Sequence, residues 1–255
     1  LRTDDVMPLA DNPHNYWSGY FTSRPALKRQ VRVATSYLES ARLLEVATNT
    51  SKSDVNRPSY KKEPVVGTSW TDALEGTVGV ATHHDGMSGT ERQDVTDDYA
   101  QRITESALEA EAGVAVAFSK LLVVSRNVFA HCNCNRGPLS CLNASACAAT
   151  HDGFSVAAFS PLGQGVTHTL RVPVGSSGPW RCKDAFGNLL PSQVSALDAR
   201  TRELPRLYLN AFNMTALDYK AADALLTNEA KAMLAVSLPL RATSAATATC
   251  GPVSS

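Results

Sequence analysis

Ala81–Thr90 reads ATHHDGMSGT. Just upstream, Leu74, Val78 and Ala81 recur at helical spacing and predict a short helix over about residues 71–81. Gly86 and Gly89 break it. Thr90 is then placed to cap the next helix, whose stripe runs Val95, Tyr99, Ile103, Ala107, Ala110, Val114, Phe118 and Leu121 at steps of three and four. The decapeptide is thus a helix–helix connection, and it carries two imidazoles and a carboxylate in a row.

Working outward, Pro25 occupies a first helical position with Ser23 as a capping candidate. Leu27, Val31, Ala34, Leu38, Ala41 and Leu44 predict a long helix that fades in the polar stretch ATNTSKSDVNRPSYKKEP, residues 47–64. Three helices joined by loops predict a small bundle over residues 25–125. Before it, residues 1–24, LRTDDVMPLADNPHNYWSGYFTSR, have the Asp, Asn, Pro and aromatic content of a functional loop. After it the period changes. FSVAAFSPLGQGVTHTLRVPV (154–174) and LPRLYLNAFNMTALDYKAADALL (204–226) hold short β-branched and aromatic runs punctuated by Pro and Gly, which predict antiparallel strands in a β-rich region over 151–240. Residues 126–150 form a Cys-rich loop, and 241–255, rich in small residues, are expected to be an irregular tail. The fold class is α+β, a multi-domain arrangement of a three-helix bundle followed by antiparallel, sandwich-like strands.

Lysine plus arginine and aspartate plus glutamate each number 24 in 255 residues, so nothing suggests a nucleic-acid footprint or a basic membrane-facing surface. No apolar run approaches the roughly 18 residues a membrane-spanning helix needs. The chain starts at Leu1 with no signal peptide after it, and the expectation is an internal piece of a longer protein.

Of six cysteines, Cys132, Cys134, Cys141 and Cys147 fall close together, as a disulfide cluster or a structural zinc site would. Three glycosylation sequons, at Asn49, Asn143 and Asn213, favour the oxidising secretory pathway. Asn143 sits inside CLNASAC, where a disulfide between Cys141 and Cys147 would close a loop around a glycan acceptor.

His83, His84 and Asp85 admit two readings. Zinc takes neutral imidazole and carboxylate oxygen. Neighbouring helical residues point about 100° apart, so one ion is not expected to take all three. Alternatively, the histidines cap the carbonyls at a helix C-terminus, where positive charge is welcome.

The wider segment HHDGMSGTERQDVTDDYAQR resembles glycoside hydrolase family 38, the α-mannosidases, where HHD-x-x-[ST]-GT precedes a DYA-type helix. ADNPHNYWSGYFTSRPALKR resembles that family's aromatic loop running into its first bundle helix. AAFSPLGQGV, RVPV, PSQV and TALDYKAA resemble its NPLG segment and the first strands of its β region. The resemblance covers residues 3–222 in order and favours the lysosomal or vacuolar branch. Departures include Leu9-Ala10-Asp11-Asn12 in place of Tyr-Ala-Asp-Gly, and Ser160 where Asn is usual.

The resemblance implies that His84 is a zinc ligand, that Asp85 bonds sugar hydroxyls, and that Trp17 packs against the mannose held at the metal. His83 is left without a role. It implies one zinc ion per full-length subunit, a retaining mechanism with a carboxylate nucleophile and a carboxylic acid, and a mannose-terminated oligosaccharide or glycoprotein glycan as substrate. Residues 1–24 would then close the N-terminal catalytic domain. The nucleophile, the acid/base and the other ligands are expected upstream, so no catalytic residue is assigned here and the chain alone is expected to be inactive. Asp4, Asp5, Asp11, Asp97 and Asp98 are read as loop or helix-solvating carboxylates. The resemblance also implies a lysosomal, vacuolar or secreted location, and an oligomer is compatible with it. Two alternatives stand beside it: a non-catalytic carbohydrate-binding fragment using Trp17 without a metal, and an intracellular zinc-structural protein built on the cysteine cluster.

The cysteine reading predicts a Cys141–Cys147 disulfide in secreted material, contributing about 2–3 kcal/mol in the chain-entropy model. A peptide map under non-reducing conditions checks it, and any other partner for Cys141 refutes it.

Overall fold

The computed structural model describes residues 10–55, 67–123, 153–175, 178–196, 232–242 and 244–253. Two short strands, β1 (Ala10–Asn12) and β2 (Asn15–Tyr16), pair as an antiparallel ribbon and lead through a 3-10 turn at Gly19–Phe21 into α1 (Pro25–Thr48). A second 3-10 turn (Lys52–Asp54) precedes α2 (Asp72–Ala81), and α3 (Gln93–Leu122) completes the bundle.

All six apolar positions expected on α1 are buried, as are Leu74, Val78 and Ala81 of α2. On α3 the buried face is rotated. Ile103, Ala107 and Ala110 are inside, joined by Thr96, Ser106, Glu111, Gly113 and Ala117, while Tyr99, Val114 and Phe118 are only partly buried and Leu121 is exposed. The contact face is chosen by close approach rather than by side-chain hydrophobicity. Small residues let helices meet, and the hydroxyls find partners: Thr96 donates to Glu91 Oε1 (2.8 Å), just before the helix, and Ser106 to Arg102 O (2.8 Å) within it.

Trp70 keys the bundle. It is 1% exposed, its indole Nε1 donates to Thr50 Oγ1 at 3.2 Å, and its backbone N–H donates to the Glu45 carboxylate at 3.1 Å. A Cβ built on Gly113 would collide with the indole. Glycine is therefore what lets α3 lie against that ring.

Two capping expectations are corrected. Arg24, in the left-handed region at φ 47°, is the residue before α1, and Ser23 instead donates to Gly89 O at 2.7 Å. Likewise α3 begins at Gln93 after Arg92, and Thr90 donates to the Asp85 carboxylate at 2.9 Å. A tertiary partner claims the Ser23 hydroxyl and a partner within the turn claims that of Thr90, so neither is left for a helix end.

The β region holds β3 (Phe154–Ser160), β4 (Val166–Val174), β5 (Trp180–Asp184), β6 (Leu189–Leu190), β7 (Ser192–Ala196), β8 (Ala232–Leu240) and β9 (Ser244–Pro252). All described pairings are antiparallel, in sheets ordered β3-β9-β5-β6 and β4-β8-β7. Every second residue of β8, from Ala232 to Leu240, is buried against Phe154, Trp180, Cys182, Leu190, Ala248 and Cys250. That period-two burial between two sheets makes the core of the β region. Phe159 of β3 packs against the helical core, so the bundle and the strands touch. A cleft of about 630 Å³ opens there, with Tyr37, Phe118, Phe159 and His168 in its wall. Burial, with the Glu111 charge adding to it, pushes the Tyr37 phenol well above its usual range.

The expected irregular tail is overturned. Ser244–Pro252 is β9, an interior strand between β3 and β5. Its Ala/Thr alternation turns Ala248 and Cys250 inward and Thr249 outward, but small side chains give little hydropathy contrast. The neighbouring Cys182 and Cys250, directly opposite in register, form a disulfide that the sequence left unassigned. Three expectations fall outside the described residues: the strands over 204–226, the loop over 126–150 with Cys132, Cys134, Cys141, Cys147 and Asn143, and the sequon at Asn213.

Gly113→Ala is predicted to destabilise the bundle by about 1–3 kcal/mol through overpacking against Trp70. Thermal unfolding followed by far-ultraviolet circular dichroism checks it. An unchanged midpoint would mean that the ring can move aside.

Candidate functional site

α2 ends at Ala81, and the chain then folds back on its own helix end. Thr82 N donates to Val78 O at 3.0 Å, His83 N to Val80 O at 3.1 Å, and Met87 N to Ala81 O at 2.9 Å. Backbone amides, rather than imidazoles, take these terminal carbonyls. That answers the capping alternative for the histidine pair: the work is already done by the turn.

Both glycines of the turn are required by space. A Cβ on Gly86 would lie 2.7 Å from Ala81 O. Gly89 has φ +78°, and a Cβ there would lie 2.8 Å from Ser23 O.

The imidazoles are consequently left facing outward. The His84 side chain is 87% exposed, His83 42% and Asp85 54%. The two rings sit with centroids 4.3 Å apart, tilted by 54°. His83 Nε2 lies 3.4 Å and His84 Nε2 3.7 Å from the same Asp85 Oδ2, while Asp85 Oδ1 accepts from Thr90. Donor atoms from the three residues all fall within 4.8 Å of one another, as a metal-binding group would have them. Two imidazoles and a carboxylate are a donor set that zinc accepts, so the residues present fit that ion as part of a coordination shell.

α1 holds this turn in place. Lys28 Nζ donates to Met87 O at 2.9 Å and to Ser88 O at 2.6 Å. Arg24 donates to Glu91 O at 2.6 Å and Gln93 Oε1 at 2.7 Å, and its Nε lies 3.8 Å from Glu91 Oε2. Ser23 adds its bond to Gly89 O. Sequence reasoning missed Arg24 and Lys28. The signal was present: cations at the start of a helix oppose its dipole, so another partner must hold them there.

The arm that carries Trp17 ends at Ser23 and so meets the turn through the Ser23–Gly89 bond. Trp17 is 53% exposed, with its indole Nε1 donating to Asp11 Oδ2 at 2.8 Å. Tyr16 and Phe21 are also exposed, and Phe21 stacks on Tyr20 at 4.6 Å. Of the carboxylates expected to be solvating, Asp97 accepts from Gln93 and Asp98 pairs with Arg102 at 2.7 Å, while Asp4 and Asp5 lie outside the described residues. Asn49 is exposed at the C-terminal cap of α1, in the left-handed conformation that asparagine tolerates.

The profile of the alpha-mannosidase middle domain matches residues 15–121, from the second strand of the aromatic arm through the turn into the last turn of α3. A protein of Arabidopsis thaliana named probable alpha-mannosidase is 34% identical over 224 residues, 83% of this chain and 20% of that protein. The chain belongs to the α-mannosidases of glycoside hydrolase family 38. Lysosomal alpha-mannosidases of this family from Felis catus and Homo sapiens are 33% and 34% identical, over 77% and 76% of this chain and 18% of each of those proteins. The chain thus spans about a fifth of the length of these family members. Among the described residues, no helix is long and apolar enough to cross a membrane.

Lys28→Met in the complete polypeptide is predicted to loosen the turn without melting the bundle. Amide exchange over residues 84–91 should quicken about tenfold, while the buried faces of α1–α3 keep their protection. Unchanged exchange at the turn would show that Arg24 and Ser23 suffice to hold it.

Proposed function

We propose that the complete polypeptide is a zinc-dependent retaining α-mannosidase that removes terminal α-linked mannose from N-glycans and oligosaccharides, and that this chain supplies one metal ligand and part of the sugar site. The observation that carries the reading is the outward presentation of His84 and Asp85 on a turn whose backbone has already capped α2. Side chains released from a structural duty, yet held in place by a neighbouring helix, suit binding a ligand from outside the bundle.

His84, the most exposed of the three, is the zinc ligand in this reading, and the other ligands come from another part of the polypeptide. Bound zinc would act as a template for adjacent sugar hydroxyls and stabilise charge, rather than generate hydroxide. Asp85 accepts from sugar hydroxyls through Oδ2, since Thr90 occupies Oδ1 and fixes the carboxylate plane. His83, 3.4 Å from the same oxygen, limits where that carboxylate can swing. The half-exposed indole of Trp17 offers an apolar face to the sugar ring, which orients it. Retention requires two carboxyl groups roughly 5–5.5 Å apart, and neither is assigned to this chain.

The Cys182–Cys250 disulfide and the three sequons support passage through the secretory pathway to a lysosome, vacuole or the exterior. A mannose-terminated glycan is the partner, and assembly into an oligomer is compatible with the exposed arm.

His84→Ala in the complete polypeptide is predicted to lose both zinc and turnover. Losing a direct ligand should cost at least the roughly 10–100-fold in affinity typical of outer-shell losses. Asp85→Asn should keep zinc and lose turnover, because its bonds to the sugar strengthen as the ring distorts. Metal analysis of both purified variants, with an aryl α-mannoside assay, decides. A His84→Ala protein with stoichiometric zinc and normal turnover would reduce the motif to a helix end.

A further inference from the structure

We infer that Asp11 is a positioning residue for Trp17: its carboxylate clamps the indole by the N–H edge and so presents the ring face to the sugar. The inference rests on the reading of Trp17 as a sugar platform.

The geometry begins with the β1–β2 ribbon. Ala10 pairs with Tyr16 and Asn12 with Asn15, which turns the chain back on itself. Asp11 therefore lies on β1 while Trp17 directly follows β2, both within one small arm. The turn is tied locally, with His14 N donating to Asn12 Oδ1 at 2.9 Å. A single oxygen of Asp11, Oδ2, then accepts from both Trp17 Nε1 at 2.8 Å and Asn15 Nδ2 at 3.0 Å. Asn15 thus fixes the carboxylate that fixes the indole.

This arrangement is unusual for a tryptophan with a packing role. Trp70, which has one, is enclosed and gives its N–H to a buried threonine. Trp17 instead keeps half its surface open while a charged acceptor grips its only polar side-chain atom. A ring on a short exposed ribbon would otherwise sample several rotamers, and each productive encounter would have to select one. A charge-assisted hydrogen bond removes that freedom before the sugar arrives. The bond is made along the ring edge, so it leaves both faces of the indole unobstructed by the clamp itself.

The chemistry also separates Asp11 from the catalytic carboxylates. Its proton-accepting oxygen is occupied twice within the arm, so it acts through Trp17 rather than on the substrate.

The test is a double-mutant cycle in the complete, zinc-loaded polypeptide, with an aryl α-mannoside as the probe. Asp11→Ala should lower kcat/KM about tenfold, the size expected for one hydrogen bond to a charged group. Zinc content should be unchanged. Asp11→Asn keeps an acceptor oxygen and should recover most of that loss, which a merely destabilised arm would not show. Trp17→Phe keeps an apolar face but has no N–H, and on that background Asp11→Ala should cost nothing further. Additive losses, or an Asp11→Ala enzyme within about twofold of the parent, overturn the clamp and leave the platform standing. If Trp17→Ala itself leaves kcat/KM unchanged, the platform reading falls and the clamp's role falls with it.

Discussion

The turn at residues 83–91 keeps its shape because Arg24, just before α1, and Lys28, in the first turn of α1, hold its carbonyl oxygens. Lys28 takes two successive carbonyls, Arg24 takes a third, and Ser23 a fourth. A loop that has spent its amides on capping α2 has carbonyls left over, and these either face water or find a donor. Cationic side chains supply donors that need no backbone alignment, so the loop can sit at the end of the bundle without joining a helix or a sheet. The same residues begin α1, directly after the aromatic arm. Arm and turn are therefore two branches of one rigid joint, and the exposed indole and the exposed imidazoles keep a common reference frame.

The base of that joint is the bundle core. Trp70 fills the space where α1, α2 and α3 come together, against the bare backbone of Gly113 and under the hydroxyl of Thr50. A core built on such close approach moves little, because displacing one helix means displacing a ring locked by hydrogen bonds and contacts on several sides. The position of His84 inherits this stiffness through Leu74, Val78 and Ala81. In the relatives it matches, each about four times as long as this chain, a preset position would suit a residue proposed to serve a site completed elsewhere in the polypeptide.

The helices were legible where one face carries large apolar residues at regular steps, as α1 does from Leu27 to Leu44. They were less so on α3, where Gly113, Ala117 and Thr96 form the contact face and hydropathy ranks them behind Val114 and Phe118. β9 escaped notice for the related reason that alanine and threonine differ little in hydropathy, although their alternation is the period of a strand. At the site, the HHD run and Trp17 stood out by resemblance. Asp11, Arg24 and Lys28 did not. The roles of Arg24 and Lys28 depend on partners 59 or more residues away, and that of Asp11 on a local turn whose register only the folded chain reveals. Ser23 and Thr90 were noticed for the wrong partner: each could cap a helix, but Ser23 found an acceptor 66 residues away and Thr90 one within its own turn.

The interior placement of β9 has a consequence for how the chain is made. β3 ends at Ser160 and β5 at Asp184, but the strand that lies between them begins only at Ser244. At synthesis rates of roughly 5–20 residues per second, both strands leave the ribosome several seconds before their shared neighbour exists. Until then each presents an open edge of unpaired amides and carbonyls, the form most prone to pairing with the wrong chain. The bundle, built from local contacts, can be complete by that time. The sheet must close from its far end backwards, and the thiol of Cys182 must wait for Cys250 to be seated opposite it. Truncation before Ser244 would thus remove the centre of a sheet rather than trim its margin.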